Sequence, residues 1–142
     1  MSANSRLTVS IHVLSYLVLA ERKRTDPATS EQIAQSVNTN PVVIRRMLGL
    51  LRKSGLVRSH RGAKNAGWTL ARKAEAITLL DVYRAVEEGP LFGLHATQPN
   101  QTCPIGRGVQ PALRKVYGSL EEQLGRQLSK TTLARVLADT MS

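Results

Sequence analysis

Two groups of residues in this 142-residue chain have types and spacings suited to chemistry. The first is a run of cations, Arg45, Arg46, Lys53, Arg61 and Lys64, with Ser30, Asn40, Val42 and Val43 just upstream or among them. A guanidinium fork donates paired hydrogen bonds to a phosphate or a guanine edge, and an ammonium neutralises phosphate as a point charge. The second is Cys103, the chain's one cysteine, with His95 in the same aperiodic segment. Cys103-Pro104 resembles a helix start, and a thiol placed there loses its proton readily and reacts with oxidants or electrophiles.

The cations are unevenly distributed. Net charge is +10; residues 1–76 carry 13 Lys and Arg against 4 Asp and Glu, whereas residues 77–142 carry 7 against 6. A positive field confined to one half is the footprint of a surface that neutralises phosphates, on nucleic acid or on an anionic membrane. Hydrophobic residues at 42% and charged residues at 21% describe a folding domain rather than a disordered chain. The most apolar run, Val9 to Ala20, is interrupted by Ser10, His12, Ser15 and Tyr16. It falls well short of the ~20 residues of a membrane span and lacks the flanks of a signal peptide. The expected location is the cytoplasm, with no membrane partner. One cysteine excludes an internal disulfide framework and any metal site made from several cysteines of one chain.

Apolar spacing supplies the elements that must position these groups. Leu7, Ile11, Leu14 and Val18 predict a first helix over about Ser5 to Glu21, closed by ERKRTDP. A short second helix has Thr29 or Ser30 as N-cap and Ile33, Ala34 and Val37 inward. Asn40-Pro41 opens a third helix to about Ser54, because the Asn side chain accepts from a free amide and proline tolerates the first helical position. On that helix Ile44, Met47, Leu48 and Leu51 share one side, Val42, Arg46, Gly49 and Lys53 lie opposite, and Arg45 and Arg52 flank them. Leu56 to Ser59 and Gly67 to Ala71 read as strands around the loop His60 to Ala66. A helix over Thr78 to Val86 and a loop over Gly89 to Gln101 follow. A long helix over about Pro111 to Leu128 carries a narrow stripe of Leu113, Val116, Tyr117, Leu120, Leu124 and Leu128, extending back to Val109. Such a stripe suits pairing between subunits, with packing on its own domain as the alternative. Thr131 or Thr132 caps a terminal helix ending near Met141.

The fold expected is therefore mainly α with a small β-hairpin wing. Residues 1–76 form a winged helix-turn-helix DNA-binding domain, and residues 77–142 form a helical sensor loop and dimerisation region built on a long C-terminal dimerisation helix. A helix fits the major groove and its first turns meet base edges. The interface expected comprises Ser30, Asn40, Val42, Val43, Arg45, Arg46 and Lys53 with the wing residues Arg61 and Lys64. Arg45 and Arg46 can each fork onto a guanine edge, a contact worth about 1–3 kcal/mol of discrimination, or be merely phosphate-bound or solvated. Val42 and Val43 suit a thymine methyl, and the tip Arg61-Gly62-Ala63-Lys64 suits a minor groove or adjacent phosphates.

The phrase LLRKSGLVRSHRG followed by GWTLAR resembles the third helix and wing of the Rrf family of bacterial winged-helix regulators, which includes IscR, NsrR and CymR. The likeness continues through ITLLDVYRAVEE, the one-cysteine loop and the terminal TTLARVLAD. It implies a homodimer in which the long helix crosses its partner and two wings reach one palindromic operator in double-stranded DNA. The family's wing usually reads RGxxGGYxLA; this one reads RGAKNAGWTLA, with Ala66 at the first of the paired glycines, Trp68 for the tyrosine and one extra residue. Cluster-binding members have three cysteines in the loop before the long helix. An iron–sulfur cluster needs three or four protein ligands, so with Cys103 alone no cofactor or metal is expected, and His95 adds little to a metal case.

The expected function is a dimeric, sequence-specific transcriptional regulator, a repressor rather than an enzyme. Its control would run through redox or electrophile modification of Cys103, including a disulfide between the Cys103 residues of two subunits. An inert buried cysteine is the alternative. Two other functions compete: a non-specific nucleic-acid-binding protein, and a cysteine-dependent enzyme with Cys103 as nucleophile and His95 as base. The first usually displays stacking aromatics, which make up only 4% here. The second lacks a third orienting group.

Overall fold

A computed structural model describes residues 5–142. Its helices are α1 (Arg6–Arg22), α2 (Ser30–Val37), α3 (Pro41–Lys53), α4 (Leu79–Val86), α5 (Pro104–Leu128) and α6 (Leu133–Met141). Strands β1 (Val57–His60) and β2 (Gly67–Leu70) form an antiparallel hairpin between α3 and α4, pairing Val57 with Leu70 and His60 with Gly67. The order and types match the winged helix-turn-helix expected.

Local chemistry sets most boundaries. Thr29 caps α2 in a reciprocal box, its hydroxyl accepting from the Gln32 amide at 3.2 Å while its own amide donates to Gln32 Oε1 at 2.9 Å. Asn40 Oδ1 accepts from the Val42 amide at 2.8 Å, and Pro41 occupies the first turn of α3. Thr78 and Asp81 form the same kind of box on α4, and Thr132 caps α6 by accepting from the Arg135 amide. These last two caps also pair with each other. Leu79 N–H donates to Thr131 O at 2.9 Å and Leu133 N–H donates to Ile77 O at 2.8 Å, so the starts of α4 and α6 are tied in a short bridge.

The core is organised on α1, which packs against α2, α3, α4, α6 and β2. Val13, Leu14, Leu17 and Val18 of α1 meet Ile33, Ile44, Leu48, Leu51, Val82, Val86, Leu133 and Leu137 in one cluster. The core therefore runs across the 76/77 boundary expected from the charge distribution: α4 and α6 are part of it, and among the helices α1 to α6 only α5 contributes no buried residue. The charge balance changes at residue 76, while apolar burial obeys no such division.

The hairpin is anchored by a third short segment. Ala28, just before α2, exchanges hydrogen bonds with Trp68, at 3.1 Å from its amide and 2.7 Å to its carbonyl oxygen. Gly67 makes this possible: a Cβ there would lie 2.6 Å from Ala28 O, and its φ of +143° lies where side chains are strained. The glycine retained from the usual pair is thus the one the close approach requires.

The largest departure from the sequence reading is α5, in which the helix start expected at Cys103-Pro104 runs without a break into the long helix expected from about Pro111, so that Pro111 lies inside it. An interior proline costs a helix roughly 3 kcal/mol, so contacts from outside must support the first turns. They come from the preceding loop, where the Asn100 backbone lies against Gly106 and Gln110 Nε2 donates to His95 O at 3.3 Å.

Burial separates the two faces of α3, so substitutions on them should have different consequences. Leu51→Ala is expected to cost about 2–5 kcal/mol, whereas Val42→Ala should stay within about 0.5 kcal/mol of wild type. Urea denaturation followed by circular dichroism measures both.

Candidate nucleic-acid interface and cysteine loop

Because Ile44, Met47, Leu48 and Leu51 are fully buried, the opposite side of α3 is held outward. Val42 is 62% exposed at its first turn, and Lys53 is exposed at its last. Gly49 between them has open space where a Cβ would stand. Asn40 is exposed, with its Oδ1 committed to the cap. Val43 is half-buried and offers only part of its surface.

Arg45 and Arg46 flank this face on opposite sides, and both are paired. Arg45 Nη1 reaches Glu31 Oε1 of α2 at 3.2 Å, and Arg46 Nη2 reaches Glu88 Oε1 beyond α4 at 2.7 Å. The sequence reading treated both arginines as free. Glu31 stands in the second helix of the motif, where a partner could have been sought. Glu88 is 42 residues from Arg46, and only the packing of α4 on α3 brings it there.

Ser30 requires a correction. Thr29 takes the capping position and Ser30, at the first turn of α2, turns inward to 7% exposure, its hydroxyl facing Glu31 Oε2 at 3.4 Å. Its side chain has almost no surface to present to a ligand.

The wing tip lies in the exposed segment 61–66, bounded by β1 and β2 and braced at its base by a His60 Nε2 to Thr69 Oγ1 contact of 2.8 Å. Arg61 and Lys64 are exposed there, and among the described residues they and Lys53 make no ion pair. Fully hydrated cations of this kind are available to phosphates, since releasing their counterions drives association.

Cys103 caps the 25-residue helix α5. Its sulfur approaches the free amides of Gly106 and Ile105 without completing a full capping hydrogen bond, and these amides, Gly106 foremost, hold the thiol below the ordinary cysteine range. The turn that presents it is tight. Cys103 N–H donates to Asn100 O at 3.3 Å, Asn100 Oδ1 accepts from the Thr102 amide at 3.0 Å, and a Cβ on Gly106 would lie 2.2 Å from Asn100 O. Gly106 is the residue that admits the loop backbone. Further back the loop is pinned to α5 by a Leu91 N–H to Glu121 bond of 2.7 Å and by Phe92 against Tyr117, ring centroids 5.2 Å apart.

Among the described residues no hydrogen bond joins His95 to Cys103: His95 Nδ1 is engaged by the Thr97 backbone, while the sulfur faces α5 amides. The donor set also does not fit an iron–sulfur cluster. The chain has one cysteine, and among the described residues no group of three His, Cys, Asp or Glu side chains converges. Among the described residues no helix is long and apolar enough to cross a membrane.

Comparison with known proteins agrees with this architecture. The Rrf2 profile, described as "Iron-dependent Transcriptional regulator", matches residues 3–139. YwnA of Bacillus subtilis is 41% identical over 135 residues, covering 94% of this chain and 96% of YwnA. CymR of Bacillus subtilis, an HTH-type transcriptional regulator, is 29% identical over 115 residues, 81% of this chain and 75% of its own. The solved structure of that CymR, titled the global cysteine regulator, superposes with a TM-score of 0.66 over 97% of this chain and 95% of its own. IscR of T. potens, 23% identical with a TM-score of 0.68 over 96% of this chain and 85% of its own, shares the fold.

Amide contacts at the start of α5 favour the thiolate, so Cys103 should alkylate at a lower pH than a free cysteine. Iodoacetamide rates measured against pH should have a midpoint below that of the same protein in urea. Gly106→Ala, which cannot accept the Asn100 backbone, should move the midpoint back up.

Proposed function

Because the chain belongs to the Rrf2 family of transcriptional regulators, we propose that it binds a palindromic operator in double-stranded DNA as a homodimer, with α3 in the major groove and the wing tip on the flanking minor groove or phosphates. One observation carries this reading. The helix α3 buries one side completely and presents Asn40, Val42, Arg45, Arg46 and Lys53 on the other, beside a wing whose Arg61 and Lys64 have no ion-pair partner among the described residues. Side chains on the first turns suit base edges, and the flanking cations suit phosphates.

The homodimer rests on α5. Leu113, Tyr117, Leu124 and Leu128 are half-buried against their own chain, whereas Ile105, Val109, Val116 and Leu120 form an adjacent exposed strip, Ile105 at 72%. A second copy laid along that strip would bury it and fix the distance between two α3 helices. In this reading residues 1–76 hold DNA and residues 77–142 carry the dimer contact and the signal. The protein acts as a repressor in the cytoplasm rather than as an enzyme. The input is Cys103, whose thiolate is modified by an oxidant or electrophile, altering the loop that seats on α5.

Binding should be measured on a duplex selected by the protein from a randomised library, on a scrambled duplex and on single strands. A clear preference for the selected duplex is expected, and equal binding to all three would point to a non-specific protein. Arg61→Ala and Lys64→Ala should weaken both duplexes alike and reduce the salt slope by about 0.9 per lost phosphate contact. Arg45→Ala should erode the preference by about 1–3 kcal/mol. Peroxide should release wild type from the selected duplex and leave Cys103→Ser bound; equal release of both would remove the switch from Cys103.

The assembly is checked by sedimentation. The Val116→Glu, Leu120→Glu double variant should sediment as a monomer and lose affinity for the selected duplex, while wild type sediments as a dimer.

A further inference from the structure

Of the two arginines flanking the outward face of α3, Arg46 has the closer partner and the more distant one in sequence. Its Nη2 lies 2.7 Å from Glu88 Oε1, with side-chain exposures of 60% and 47%. Arg45 pairs with Glu31 of α2, a carboxylate within the helix-turn-helix itself. Glu88 instead stands outside the motif, two residues past the end of α4, where the chain enters the loop leading to Cys103.

The other oxygen of the Glu88 carboxylate also faces a cation, at longer range. Arg6 of α1, 14% exposed, reaches Glu87 Oε1 with Nη2 at 3.2 Å and Glu88 Oε2 with Nη1 at 4.0 Å. The Glu88 amide donates to Glu87 Oε1 at 3.0 Å, which fixes the turn. Glu88 therefore spans two cations, one anchored in the domain body and one on the candidate reading face. A guanidinium with one nitrogen committed to a carboxylate cannot offer its full fork to a guanine edge until that pair opens. A single phosphate contact replaces the carboxylate with a similar partner, whereas a matched base supplies two hydrogen bonds. Opening the pair costs the same on either duplex, so it is opened only where the new partner of Arg46 outweighs Glu88, and a matched base with two hydrogen bonds meets that condition before a single phosphate does.

We propose that Glu88 is a positioning residue that competes with DNA for Arg46, holding its guanidinium in the unbound protein and raising the base match needed to release it. The proposal rests on the reading of α3 as the helix that meets DNA.

A double-mutant cycle tests it, with wild type, Glu88→Gln, Arg46→Ala and the double variant titrated on the selected and scrambled duplexes. Glu88→Gln should tighten the selected duplex by about 2- to 5-fold, the range for an exposed ion pair, and the scrambled duplex by no more than that. In the Arg46→Ala background Glu88→Gln should change neither. The same tightening in both backgrounds would overturn the proposal, since Glu88 would then act by plain repulsion of the DNA, and so would no tightening in wild type. The reading of α3 fails separately, if wild type does not prefer the selected duplex or if Arg45→Ala, Arg46→Ala and Val42→Ala all leave that preference intact.

Discussion

Everything this molecule presents outward depends on the burial of one side of α3 against α1. Ile44, Leu48 and Leu51 are sealed into the cluster that Val13, Leu14, Leu17 and Val18 organise, and a helix has no freedom to rotate once such a face is locked. Lost contacts cost too much for α3 to turn by even one residue. The direction of Val42 and Lys53, and the flanking positions of Arg45 and Arg46, follow from that packing rather than from any preference of their own. The hairpin is referred to the same frame through Ala28 and Trp68, which tie β2 to the chain just ahead of α2.

The second constraint is the incompleteness of α5. A 25-residue helix with no buried residue, an interior proline and an exposed line of Ile105, Val109, Val116 and Leu120 is not stabilised by its own domain in the way α1 is. Its first turns lean on the loop that presents Cys103, through Gly106 against Asn100 and Gln110 against His95. The chemistry of the cysteine and the support of the helix therefore share one set of contacts. A modified sulfur at that position would have to be accommodated beside a turn in which the Asn100 backbone leaves no room for a Cβ on Gly106.

Electrostatics completes the picture. The basic half is not uniformly free charge. Arg45 and Arg46 are matched by single carboxylates from two different elements, while Lys53, Arg61 and Lys64 are left to solvent. Exposed pairs of this kind are weak, so they bias a side chain without fixing it. The surface thus separates cations left to solvent from cations that hold a protein partner.

Much of this was legible in the sequence because its causes are local. The cap at Asn40, caps at one of Thr29 and Ser30 and one of Thr131 and Thr132, the apolar period of α3, the turn between the strands and the uneven charge depend on residues within a few positions of one another, and they determined the winged helix-turn-helix and the outward side of its third helix. Only the tertiary structure decided the rest. It turned Ser30 inward once Thr29 took the cap, extended α5 back through Pro111 on the support of a folded-over loop, and joined α4 and α6 to the core across the expected boundary. It also brought Glu88 to Arg46. Each of these depends on contacts between residues far apart in the chain, where spacing along the sequence carries no record of distance in space.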